Sequence, residues 1–305
     1  WNNIKGSNIT PGMKLKINLK KAMTRKDTFE VKIQYTTNTH QLNDLQKGLG
    51  QGAYFINSNQ YNPYRSTIFW TQGETEAAAC WFPTINATNQ KSTEEIFVTV
   101  PDSMTTISNG TLISQTSIPN GLRTDYWKQS LAHAPYLFAL VIGPYIKVND
   151  FWREKPVDYY ALAPYDQIMK EVFGRTPQML EFFSNKFQYD FAWDNYKQVT
   201  VYDFVAGAME NTTLSVFHEG LMYNPGDILD KNFGEDPIIA HELVHQWFGD
   251  LVTSESWSQL TLNESFAAYG EYLWIENWKG KDDAAIVWYN KYQNYIREYT
   301  YKKAD

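Results

Sequence analysis

The sequence predicts an α+β protein in two parts, and three observations carry that prediction. Up to about Tyr145 apolar residues recur at period two between turn dipeptides. Beyond Val148 strand-like and helix-like stretches mix, and Asp236 to Glu271 reads as two helices in succession. At 305 residues the chain is long enough for two domains, each with its own core. The expected division is a β-rich domain over residues 1–147 and a mixed domain over 148–305.

Within the first part, LKINL from Leu15, FEVKIQY from Phe29, IFVTV from Ile96 and Leu122 to Trp127 alternate, which predicts strands of an antiparallel, edge-rich architecture. Asn109-Gly110 and Asn120-Gly121 are turn dipeptides of the hairpin kind. Gln41 to Tyr64, rich in Asn, Gln, Gly and Tyr, reads as irregular connection, and TQGETEAAACWFP, Thr71 to Pro83, as a loop packed by Trp81 and Phe82 with Glu74 and Glu76 in solvent. In the second part, Val157 to Leu162 reads as a strand and Tyr165 to Phe173 as a short helix stopped by Gly174. Thr176-Pro177 opens a longer helix through Phe187, with Met179, Leu180, Phe183 and Phe187 on its apolar side. Gln198 to Phe204 and TTLSVF from Thr212 are strands again. Trp1 in place of an initiator Met, and a strand pattern starting near Met13, read as entry into the middle of a domain, so a fragment of a longer protein is expected.

A net charge of −7 and the lack of any basic run exclude a nucleic-acid surface. The single cysteine, Cys80, excludes an intrachain disulfide framework. Tyr136 to Ile146, the longest apolar run, is too short to cross a bilayer and is broken by Gly143 and Pro144. An aromatic fraction of 16% fits extended β-structure and a cleft.

The chemistry concentrates in DPIIAHELVHQWFGDLVTSESWSQLTLNESFAAYGE, from Asp236 to Glu271. Asp236 suits an N-cap and Pro237 a first helical turn. His241 and His245 are four apart, so a helix puts both imidazoles on one face, where they can share one metal ion. Glu242 between them stays off the metal as a base for water. Glu264, on a second helix, is the candidate third ligand. Two histidines and one glutamate leave a position open, which is the catalytic zinc arrangement. Glu271 lies seven residues beyond Glu264 on the same face, placed to accept the spare N–H of a ligand histidine. Upstream, Gly207 and Ala208 permit close backbone approach, and a bend there would aim Glu210 out of the sheet. A strand edge beside a metal also suits an extended peptide, although taken alone Glu210 reads as a solvated hairpin residue.

GAMEN at Gly207 to Asn211, then HELVHQWFGDLVT, then LNESFAAYGEY resembles the aminopeptidase N family of zinc metallopeptidases, within the thermolysin-like gluzincins. TQGETEAAACWFP, VPDSMTTISNG and APYLFALVIGPY extend the resemblance into that family's β-saddle domain. The resemblance implies a saddle domain followed by a thermolysin-like catalytic domain, truncated at both ends. The implied activity is release of single amino acids from peptides with a free N-terminus. It assigns His241, His245 and Glu264 to one zinc ion and Glu242 to the general base. Glu210, helped by Glu74 and Gln72, would hold the substrate's ammonium group; Gly207, Ala208, Met209 and Asn211 complete the substrate-binding motif. The chain departs from the family at Thr261 and Ser265 (usually Trp and Gly), at Ala79 (usually Arg) and at Asn86 (usually Asp), positions that bear on the specificity pocket. The family's transition-state Tyr and helical C-terminal domain would lie beyond Asp305. An endopeptidase or epoxide hydrolase on the same scaffold, and a zinc- and peptide-binding fragment without turnover, remain alternatives; Glu210 and Glu74 argue against the endopeptidase. Asn86 and Asn109 also match glycosylation triplets.

Overall fold

A computed structural model describes residues 15–19, 21–24, 26–36, 52–222 and 235–302. Its first part contains two antiparallel sheets. One joins β1 (Gly52–Ile56), β2 (Ile68–Gln72), β7 (Leu140–Gly143) and β4 (Thr105–Ser108) in the order β1-β2-β7-β4; the other joins β3 (Ser92–Pro101), β6 (Leu122–His133) and β5 (Thr111–Ile118) in the order β3-β6-β5. The third sheet is mixed. It runs β11-β12-β10-β9-β8, from β8 (Ile146–Trp152), β9 (Lys155–Ala161), β10 (Tyr196–Val201), β11 (Ala208–Met209) and β12 (Leu214–His218), with β9, β10 and β12 parallel. The protein is therefore α+β, with α1 (Met169–Phe173), α2 (Thr176–Phe187), α3 (Asp236–Val244), α4 (Thr261–Lys279) and α5 (Lys281–Lys302) completing the second part.

The mixed sheet is covered on both faces, and successive side chains of its inner strands point alternately into one core and the other. Val157, Tyr159, Ala161, Tyr196 and Phe217 face a core shared with α1, α2, α3 and α4, including Phe173, Phe183, Leu243 and Trp274. Tyr160, Val199, Val201, Leu214 and Val216 face the opposite way, into a second core with Tyr54, Ile68, Trp70, Ile107 and Val141 of the first sheet. Every residue of β10 is buried, as a central strand between two covered faces requires. Each large apolar side chain so buried contributes about 1.5–3 kcal/mol, and the second core makes the first sheet a wall of the region that carries the site.

Several sequence expectations change. LKINL and FEVKIQY form no strand: Leu15, Ile17, Phe29, Val31 and Ile33 are exposed, and among the described residues no neighbouring strand pairs with them. Alternation makes a segment compatible with a sheet but does not supply the partner edge. Met13 and residues 41–51 lie outside the described residues, while β1 occupies part of the stretch expected to be irregular. Asn120-Gly121 does close a hairpin, β5 to β6. Asn109-Gly110 does not, because β4 and β5 belong to different sheets. The strand expected to Phe204 ends at Val201, with Asp203 at φ 57° turning the chain away. The helix over Thr176–Phe187 has the expected bounds, with Met179, Leu180 and Phe183 buried.

Candidate active site

Helix α3 carries His241 and ends on His245 as its C-cap. Asp236 is not its cap; it sits in the first turn, fully buried, where its carboxylate accepts Arg175 Nε at 2.7 Å and Trp274 Nε1 at 3.2 Å. A capping carboxylate would have to face the helix N–H groups, and these two partners draw it elsewhere. Pro237 occupies the first turn as expected. At the other end the chain turns sharply at Gly249, φ 135°, where a Cβ would stand 3.0 Å from His245 Nδ1. Helix α4 packs closely over α3 because Gly270 has no side chain: a Cβ there would meet Val244 Cγ2 at 2.5 Å.

This packing brings Glu264, in the first turn of α4, against both imidazoles. Its carboxylate lies 3.3 Å from His241 Nε2 and 3.7 Å from His245 Nε2. Both Nδ1 atoms are engaged elsewhere, His241 with Glu271 Oε1 at 2.7 Å and His245 with Phe248 O at 3.0 Å. A proton on each Nδ1 leaves the Nε2 lone pairs converging on Glu264. His245 is buried while Glu264 is about 40% exposed, so the cluster opens to solvent on the glutamate side.

The residues fit a zinc ion. The ligand atoms of His241, His245 and Glu264 lie within 4.8 Å of one another, and two nitrogens with one carboxylate oxygen form an open catalytic donor set. Burial acts against charge on His241, yet its hydrogen bonds with Glu264 and Glu271 outweigh that and push it up to about 10. The cluster thus favours positive charge at this point. Burial and the neighbouring His241 push His245 down to about 4, which favours a neutral imidazole.

The expected anchoring residues meet at the same place. Glu210, Glu242 and His245 form one group within 4.8 Å, and Glu74, Glu210 and Glu264 another. Oε1 of Glu210 and Oε2 of Glu242 are buried without a hydrogen-bond partner. Burial is the largest cause of high carboxyl values here: Glu242 rises to about 8, Glu74 to about 7 with the charge of Glu264 adding to it, and Glu210 well above its ordinary range. Carboxylates so crowded and desolvated call for a cationic partner. Glu74 is half-buried and not the solvated loop residue its local sequence suggests, whereas Glu76 is exposed. The loop is held by Asn86, whose Nδ2 donates to Glu76 O, and by Phe82, stacked on Phe138 at 5.1 Å.

Gly207 is exposed and Ala208 half-buried on β11, which has a strand partner on one side only among the described residues. Gln72 Nε2 donates to Met209 Sδ at 3.1 Å, and Asn211 Nδ2 to Leu137 O at 3.3 Å. Met209 and Asn211 are buried, and these bonds tie the segment to the first part of the chain. Of the departing positions, Ala79, Thr261 and Ser265 are exposed.

Other residues at the site lie within the quoted motifs but take no role from the sequence. Tyr136 Oη donates to Gly249 O at 3.3 Å and accepts from Asn263 Nδ2 at 3.1 Å, next to Glu264. Asn109 Nδ2 donates to Thr212 O at 2.7 Å and to Leu137 O at 2.9 Å. Gln246 reaches the backbone on both sides of Asn211 and Thr212. Each reads in sequence as an ordinary turn or core residue, because its partner is far away along the chain.

Comparison with known proteins agrees with this geometry. A family model described as "Peptidase M1 N-terminal domain" matches residues 5–137, and one described as "Peptidase family M1 domain" matches residues 172–304. The chain is 30% identical over 247 residues to Aminopeptidase M1-B of Oryza sativa subsp. japonica, covering 78% of this chain and 27% of that protein. It is 27% identical over 282 residues to glutamyl aminopeptidase of Sus scrofa, covering 85% and 30%, and 30% identical over 239 residues to Aminopeptidase M1 of Arabidopsis thaliana, covering 76% and 26%. The chain thus spans less than a third of the length of these relatives.

Proposed function

This chain belongs to peptidase family M1, and from that premise we propose that it forms the site of a zinc aminopeptidase, which removes single residues from peptides with a free N-terminus. One observation carries the reading. Glu74 and Glu210 stand within 4.8 Å of Glu264, the same carboxylate that approaches both histidines. An ammonium group paired with Glu74 and Glu210 is therefore held next to the metal position, and the only peptide bond within reach is the first.

In this reading His241, His245 and Glu264 hold one zinc ion per chain, and Glu271 fixes the His241 tautomer. When bound, zinc supplies Lewis-acid polarisation of the scissile carbonyl and lowers the pKa of water toward about 7. Glu242 takes the proton of the attacking water and delivers it to the leaving amine; its burial keeps it basic enough to do so. The edge of β11 that has no strand partner among the described residues, with Gly207 just before it, pairs with the peptide backbone, and Gln72 with Met209 backs the anchor. A blocked N-terminus would leave Glu210 and Glu74 without a cation, at a cost of several kcal/mol for a buried carboxylate. The same reading divides the chain into a saddle domain over 1–147 and a catalytic domain over 148–305. The mixed sheet, whose first strand starts at Ile146, supports that division. Among the described residues no helix is long and apolar enough to cross a membrane.

The test is one peptide offered with a free and with an acetylated N-terminus to the longest available form of the protein. Release of the first residue from the free peptide alone is expected; equal cleavage of both would sink the aminopeptidase reading.

A further inference from the structure

The segment from Glu210 to Thr213 lies between two strands and has little ladder of its own. The β11–β12 pairing covers Ala208 and Met209, and β12 resumes at Leu214. The residues between are fully buried, so their backbone groups need partners from elsewhere. Gln246 supplies two of them. Its Nε2 donates to Glu210 O at 3.0 Å and its Oε1 accepts from Thr213 N at 2.9 Å. Gln246 is itself 1% exposed and is anchored through its own carbonyl, which accepts Trp193 Nε1 at 3.0 Å. Thr213 sits at φ 62°, a left-handed conformation unusual for a β-branched residue, and its hydroxyl also accepts from Gly110 N at 2.7 Å. One amide side chain therefore bridges the two ends of the bend that presents Glu210, and that side chain follows His245 directly in sequence.

We propose that Gln246 is a positioning residue that sets the distance between the metal-ligand helix and the ammonium anchor Glu210. The inference rests on the aminopeptidase reading above. The backbone of His245 and that of Gln246 are joined by one peptide unit, so the imidazole turned toward Glu264 and the amide turned toward Glu210 move as one body. Without that amide, the segment would keep the backbone bonds Leu214 N to Asn211 O and Lys197 N to Thr213 O and the contacts through Asn109, Gly110 and Leu137, none of which bonds Glu210 itself. The exopeptidase register is fixed from inside the catalytic domain, by a residue that touches neither metal nor substrate.

The test uses Gln246→Met, similar in length but without a donor or acceptor that could replace the amide. It also uses Gln246→Asn, one methylene shorter and unable to span both partners, which keeps a polar group in the pocket should the first variant fold poorly. In the longest available form of the protein, kcat/KM is measured on a free-amine peptide and on its analogue with the amino group replaced by hydrogen, alongside zinc content and melting temperature. On the free-amine peptide a loss of about tenfold or more, mainly in KM, is expected, from two buried hydrogen bonds. On the desamino analogue the change should stay within about twofold, with zinc still near one per chain. In a Glu210→Gln background, Gln246→Met should add less than about twofold, since both changes act on one interaction. Equal losses on both substrates, or an additive loss in the Glu210→Gln background, would overturn the proposal and leave Gln246 a core residue. Failure of the aminopeptidase reading looks different: the unmodified protein would then not discriminate the two substrates.

Discussion

Nδ1 of His241 lies 2.7 Å from Oε1 of Glu271, and that same oxygen accepts Nζ of Lys291 at 2.8 Å. Glu271 thus links the histidine-bearing helix α3 to α5 through α4. It fixes the ring orientation of His241 while Lys291 limits the negative charge it adds.

Removing that charge should weaken the metal site without dismantling it. Glu271→Gln is expected to lower zinc affinity by about 10–100-fold, read by competition with a chromophoric chelator. Unchanged affinity would mean that the Glu271 contact does not tune the ligand.

Glu242→Ala should separate metal binding from turnover. Its carboxylate is buried and groups with Glu210 and His245, outside the set of His241, His245 and Glu264. Zinc content should stay near one per chain while kcat falls by about 10²–10⁴-fold, the usual range for a general base. A variant with near-normal turnover would exclude Glu242 as that base.

Gly249→Ala puts a methyl group 3.0 Å from His245 Nδ1 at φ 135°. The strained backbone should cost about 1–3 kcal/mol, and the ring displacement should reduce zinc affinity together with melting temperature. A variant as stable as the parent, with full zinc affinity, would show that the turn at Gly249 does not seat the ligand.

Asn109 makes the opposite prediction from its sequence. Its amide is 1% exposed and donates to Thr212 O and Leu137 O, so the Asn109-Gly110-Thr111 triplet should carry no glycan in the folded protein, checked by peptide mass after expression in a glycosylating host. Asn109→Ala should cost about 1–3 kcal/mol, because the buried Thr212 carbonyl and Ala139 N–H lose the amide they bond.

Acid sensitivity should include a contribution from Asp125 in β6. Burial raises its pKa, but hydrogen bonds from Arg123, Thr106 and Gln115 outweigh burial and hold it below the ordinary Asp range. A depressed folded-state value stabilises the fold above the unfolded value of about 3.9, and that stability is lost as pH falls through the folded value. Chemical denaturation between pH 7 and 2 should therefore show a smaller acid loss in Asp125→Asn than in the parent.

The sequence by itself determined the reactive set on α3. His241 and Glu242 lie on one short helix whose C-cap is His245, still in helical conformation, and helical periodicity is a local property that places them without knowledge of the rest of the chain. It also determined that the segments of β9, β10 and β12 are strands, and the helix that starts at Thr176-Pro177. Only the tertiary structure decided what these elements meet. LKINL and FEVKIQY alternate as strands do, yet have no partner among the described residues. Asp236 has the chemistry of a cap but is taken by Arg175. Asn109-Gly110 has the form of a hairpin but docks on Thr212 and Thr213. Glu74, Glu210 and Glu264 converge although Glu74 and Glu264 are far apart in the chain, because the first sheet covers one face of the mixed sheet and the helices cover the other. Local geometry repeats every few residues and is legible there; a contact between distant residues depends on how two packed faces close on each other, which no single stretch encodes.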